Sequence, residues 1–142
     1  PLDEKQLSLE DRDYVVSLNI SEGRWGKTEY SFEFEIADLK EYKGSSEGTL
    51  KKVEYTCQGD SIKSALNEYY EATGRQLDLG HLSDIELDDD LKNEEVNAFI
   101  TELSDMPYVA KSVIVEFTQG GVEKEMLLRD MIKESYSGEN SM

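Results

Sequence analysis

Apolar and polar residues alternate clearly at three places in the first sixty positions. At 14–20, Val16, Leu18 and Ile20 fall on one side and Ser17 and Asn19 on the other, the two-residue period of a half-buried strand. Tyr30, Phe32, Phe34 and Ile36 alternate with Ser31, Glu33 and Glu35 in the cleanest strand of the chain, and the glycines Gly23 and Gly26 between these runs predict an antiparallel hairpin. A third strand is expected at 50–57, with Val53, Tyr55 and Cys57 on one side, after a surface loop at 43–48. The ten or so residues before 14 are polar and read as a lead-in.

The period then changes to that of a helix. Ile62, Ala65, Leu66, Tyr69 and Thr73 form an amphipathic stripe, with Asp60 as the expected N-cap and Gly74 where a left-handed residue stops the helix. A short strand at 82–87 precedes a second helix at 93–104, whose stripe is Val96, Phe99, Ile100 and Leu103; Pro107 closes that region. Residues 112–117 are β-branched and almost continuously apolar, as expected of a strand covered on both faces. Gly120 and Gly121 then lead into a last helical segment at 122–136, carrying Met126, Leu127, Leu128, Met131 and Ile132. The expected order is β-β-β-α-β-α-β-α. That is an α+β fold, a mixed and largely antiparallel sheet packed against two or three helices. Leu66 and Phe99 sit mid-stripe, so aspartate at either is expected to unfold the domain.

Length and charge narrow the function. The 142 residues fit one domain, 1–142, with a packed part of about 7–136, and such a chain buries roughly two-thirds of its unfolded surface. Fifteen basic against 32 acidic side chains leave a net charge of −17, which argues against nucleic-acid binding and against docking on anionic lipid through a polybasic patch. The single cysteine, Cys57, excludes an internal disulfide and a Cys-based zinc site. No apolar run is long enough to insert directly into a membrane. The chain opens at Pro1 and not Met, which suggests a segment cut from something longer, so an anchor can lie upstream.

Few residues invite chemistry. His81 is the only histidine, so a Ser-His-Asp site would have to use it, with Ser64 or Ser83 available, but no nucleophile-elbow motif accompanies it. Its plainer role is a structural hydrogen-bonding residue beside Gly80. Cys57, on an inward strand position, behaves as a small hydrophobe. Asp88, Asp89 and Asp90 suggest calcium, yet an EF-hand counted from Asp88 would place Asn93 and Phe99 at its glycine and bidentate glutamate positions. Capping and helix-dipole charges explain them more simply. Between 84 and 105 there are nine acids and one base, either a solvated face or one that steers a basic partner. Trp25, between two glycines, is either a contact residue or a ring folded over the hairpin edge. No catalytic, metal-ligating or cofactor-binding residue is assigned, and no cofactor is expected.

One stretch is more specific: Gly59-Asp60-Ser61, then Ala65-Leu66, then Gly74-Arg75-Gln76-Leu77-Asp78-Leu79-Gly80-His81-Leu82. It resembles the N-terminal domain of the Ger(x)C family, the C-subunit lipoproteins of bacterial spore germinant receptors. In that family a strand ends in Gly, an acidic residue and Ser or Thr. A helix with an early Ala-apolar pair follows, then a basic-x-Leu stretch and a Gly-His before a strand. The resemblance covers about residues 7–118; the first strand departs from it, ending Leu18-Asn19-Ile20-Ser21 where the family has a Gly-Ile-Asp-like ending. It implies a non-enzymatic interaction module at the extracytoplasmic face of a bacterial membrane, tethered there beside protein partners in a membrane complex. Gly80 and His81 transfer only as residues that shape the entry to a strand. Two other functions are carried beside it: a small His81-dependent hydrolase, and a cytoplasmic acidic protein that binds a basic partner.

Overall fold

A computed structural model describes residues 11–38 and 49–140. The expected loop at 43–48 and most of the lead-in lie outside the described residues. Strands β1 (Arg12–Glu22), β2 (Thr28–Asp38) and β3 (Thr49–Gly59) lead into α1 (Ile62–Thr73). The short β4 (Gln76–Asp78) and β5 (Asp84–Leu87) precede α2 (Asn93–Ser104). β6 (Ile114–Gln119), β7 (Val122–Leu127) and α3 (Leu128–Asn140) complete the chain. The fold is mixed α+β, an open seven-stranded sheet in the order β3-β2-β1-β5-β6-β7, with β4 beside the start of β1. β3-β2, β2-β1 and β6-β7 pair antiparallel and account for most of the paired length, while β1-β4, β1-β5 and β5-β6 are parallel.

The inward rows form one core. Phe34, Phe32 and Tyr30 stand opposite Val53, Tyr55 and Cys57, as alternation requires. With Leu18, Ile20, Ile85 and Val115 they pack on Ile62, Ala65 and Tyr69 of α1 and on Phe99, Ile100 and Leu103 of α2. Ile36 runs past this core and is exposed, as is Tyr70.

Several local expectations change. A bulge between Val15 and Ser17 inserts one residue and flips the alternation, so Val15 is fully buried and Val16 is not. The N-cap of α1 is Ser61, not Asp60. Ser61 Oγ accepts from the Ser64 amide at 3.0 Å and Ser64 Oγ accepts from the Ser61 amide at 3.1 Å, a reciprocal box, while the Asp60 carboxylate is taken by Lys27 Nζ at 2.8 Å. Gly74 ends the helix at φ 73°, as expected, its amide donating to the Tyr70 carbonyl at 2.8 Å. Residues 112–117 were expected to be covered on both faces. Val113 and Val115 are buried but Ile114 and Glu116 are exposed, because the helices pack on one side of the sheet only. The expected helix at 122–136 starts with a strand instead: Gly120 and Gly121 take φ 60° and 77°, the twist of a tight hairpin, and fold β7 back on β6 before α3 begins.

Candidate functional site

Strands β1, β5 and β6 run parallel, so their carboxyl ends share one rim of the sheet. In open α/β sheets, ligands bind in the crevice outside the carboxyl ends of the parallel strands. The rim holds two features found sixty residues apart in sequence. The β1–β2 hairpin closes at Arg24-Trp25-Gly26-Lys27, with the Lys27 amide donating to the Arg24 carbonyl at 3.0 Å. Trp25 and Gly26 both adopt positive φ, 60° and 73°. Beside them, Asp88, Asp89 and Asp90 follow β5; the Asp88 amide donates to the Ile20 carbonyl at 2.9 Å and the Glu22 amide donates to Asp90 Oδ1 at 3.3 Å.

Trp25 is 94% exposed, so it does not fold over the hairpin edge. Its left-handed backbone costs about 1–2 kcal/mol against an ordinary conformation. A large aromatic that packs on nothing and sits in a strained turn contributes nothing to the fold. The three aspartates do not cap α2, contrary to the capping explanation: its N-cap residue is Lys92, whose amide donates to Glu95 Oε1 at 3.1 Å. They are exposed, and Asp89 is raised above the usual carboxylate range, first by a hydrogen bond with Asp88 and then by the charges beside it. Among the described residues no group of three or more His, Cys, Asp or Glu is placed to hold a metal.

The motif residues hold geometry. A Cβ on Gly59 would stand 2.7 Å from Ser64 Oγ, so a larger residue there would push that hydroxyl out of its place in the cap of α1. A Cβ on Gly80 would meet Asp78 Oδ1 at 2.9 Å, the same carboxylate that accepts from the Gly80 amide at 2.8 Å. His81 stacks on Tyr14, ring centroids 4.5 Å apart and 17° from parallel. The Ser83 hydroxyl bonds the Val16 carbonyl and Asp84, and Ser64 belongs to the helix cap, so neither serine is paired with His81. Cys57 is buried, its Sγ set 3.9 Å from the Ala65 carbonyl; burial first, then Glu68, pushes the thiol up to about 12, away from thiolate chemistry.

Two polar devices escape the sequence reading. Asp13, assigned there to the lead-in, is a buried residue of β1. Its carboxylate accepts from the Tyr69 hydroxyl at 2.6 Å and from Arg75 Nε and Nη2, each at 2.9 Å. Burial opposes its charge, but Arg75 and Tyr69 outweigh that and hold it below the usual range. Parity counted back from Val15, and an arginine just past the Gly74 stop, are the signals that point to this pair. The second device is Glu102 of α2, whose two oxygens accept from the Ile62 and Lys63 amides at 2.8 and 2.9 Å. It thereby satisfies orphan donors of α1 from another helix. Glu102→Ala is expected to cost about 1–2 kcal/mol. A lowered melting temperature, with faster exchange at the amides of Ile62 and Lys63, is the check.

A family model described as the spore germination protein N-terminal domain matches residues 5–140. The chain belongs to that family. No curated protein and no solved structure matches. The match runs beyond the expected 7–118 and takes in β7 and α3, so the spore germination domain includes the C-terminal hairpin and helix. It is the family of the N-terminal domain of germinant-receptor C subunits, associated with membrane-anchored receptors. No helix among the described residues of this spore germination domain is long and apolar enough to cross a membrane.

Proposed function

We propose that this domain is a non-catalytic protein-binding module of a germinant-receptor C subunit. It works at the extracytoplasmic face of a bacterial membrane, tethered by an anchor outside this chain. The rim bearing Trp25 and Asp88, Asp89 and Asp90 is its contact with receptor partners. One observation carries the reading: an indole 94% exposed in a backbone conformation that disfavours it. Strain kept at a position the fold does not need supports a role in recognition, and tryptophan is the residue most enriched at interface hot spots. The aspartates beside it supply a steering charge for a basic partner.

The test is a photocrosslinking side chain at position 25 of the full-length protein in its own cells. Crosslinks to an integral membrane subunit of the receptor are expected. Crosslinks confined to cytoplasmic proteins would overturn the location and the role together. The companion variant is Trp25→Asn, since asparagine tolerates the left-handed turn. Its stability is expected to equal the wild type or exceed it by up to about 1 kcal/mol, while partner capture falls at least about tenfold. Capture at the wild-type level would remove Trp25 from the interface.

A further inference from the structure

All three helices lie on one side of the sheet, and none of the other described residues forms a layer over the opposite side. We propose that this bare sheet face docks a basic protein segment, one with several lysines or arginines beside an apolar side chain. The inference deepens the binding reading above and rests on it only in taking the occupant to be a protein.

Strand register builds the surface. Glu86 stands beside Glu116, and Glu116 beside Glu125, on three adjacent strands. Like charges directly opposite one another on neighbouring strands destabilise a sheet. None of the three carboxylates has an ion-pair or hydrogen-bond partner among the described residues. Toward the other edge Glu33 stands beside Glu54, and there the chain itself supplies a cation, Lys52 Nζ, 3.3 Å from Glu33 Oε1. An ammonium on this face therefore has a precedent within the domain; at the glutamate ladder the neighbouring lysine, Lys124, donates instead to Gln119 Oε1 at 3.0 Å.

Two independent features give the face a partner and not only solvent. Its centre is hollow, a depression of about 350 Å³ floored by Ser17, Asn19 and Ser31 between Glu33, Glu54 and Glu86. One row from the ladder, Ile114 is paired with the half-buried Leu127 and is itself 39% exposed. An apolar step bordered by acids matches a segment that carries an apolar anchor among cations.

The probe is a fluorescein-labelled nonapeptide, four lysines on each side of one leucine, titrated into the 142-residue chain by anisotropy. The variant E86Q/E116Q/E125Q is expected to bind it about tenfold more weakly at low salt, with a shallower salt dependence, because exposed charges are screened within about 8–10 Å at physiological ionic strength. The same variant is expected to melt at or above the wild-type temperature, since repulsion is removed. E71Q/D105N/E134Q removes equal charge from exposed positions on or just beyond the helices and is expected to weaken binding less than about threefold. Equal weakening by both triples, or none by the first, overturns the proposal, because binding would then follow net charge. If the ladder triple does not fold, E116Q alone carries the test, with about a threefold loss expected. A receptor crosslink at position 25 with a negative peptide result removes this face alone. A positive peptide result without that crosslink removes the receptor reading and leaves the face.

Discussion

Phe99→Asp is expected to abolish cooperative folding. Phe99 is buried in the middle of α2, its ring edge-on to Tyr30 at a centroid distance of 6.0 Å and 81°, against the inward row of β2. The substitution removes that contact and places a carboxylate among Tyr30, Ile100 and Leu103, with no buried cation among the described residues. A buried, unpaired charge together with the lost aromatic packing costs more than about 5 kcal/mol, which reaches the lower end of the stability of an ordinary domain, about 5–15 kcal/mol. Loss of the near-ultraviolet circular dichroism signal and of a cooperative melt is the expected result; a native melt would mean that α2 packs otherwise. Leu66→Asp, expected from the stripe to do the same, falls in a different class. Leu66 is only half-buried and borders an open hollow with Tyr70 and Tyr108, so its carboxylate can reach water and the domain is expected to stay folded with reduced stability.

The contrast shows what periodicity can and cannot say. The α2 boundaries are read to the residue, because the stripe Phe99, Ile100 and Leu103 is the face that is buried and Pro107 stands beyond its end. A helical stripe gives the side that turns inward but not how far the opposing layer extends, and at Leu66 that layer ends. β4 is only three residues long, paired with Arg12, Asp13 and Tyr14, too short for a local alternation to betray it. β7 does have a local signal, the Gly120-Gly121 hairpin turn, but the apolar run from Met126 into α3 masks it under a helical period. The rim, and the step from Glu86 to Glu116 in the glutamate ladder, depend on register between strands far apart in sequence. Trp25 is exposed in the turn that follows β1, and the end of β1 meets the aspartates through the Glu22 amide and Asp90 because β1 pairs parallel with β5. No spacing in the sequence contains that information.

Asp13→Ala is the second large effect, and its sign with pH identifies the cause. The substitution leaves the buried Tyr69 hydroxyl without its 2.6 Å partner and Arg75 without its ion pair. Tyr69 cannot turn away, since its ring is held edge-on between Phe34 and Tyr55 at centroid distances of 5.8 and 4.7 Å. Arg75 is partly solvated, which moderates the loss, so about 3 kcal/mol is expected near neutral pH. Asp13 is held below its ordinary value of 3.8 in the folded chain, so its contribution is complete above that pH and is lost as pH falls through the folded value. The stability gap between wild type and Asp13→Asn, which keeps the shape but not the charge, therefore closes below about pH 3.8. Tyr69 works at the other end: burial first, and then the Asp13 carboxylate, raise it above its ordinary 10.0, so its contribution is complete below pH 10 and is lost as pH rises toward the folded value. Denaturant unfolding of wild type and Asp13→Asn at several pH values from neutral down into the acid range measures the gap. A gap that stays constant through the acid range would mean that Asp13 acts by shape, and that the ion pair joining β1 to the end of α1 is not what steadies that corner of the sheet.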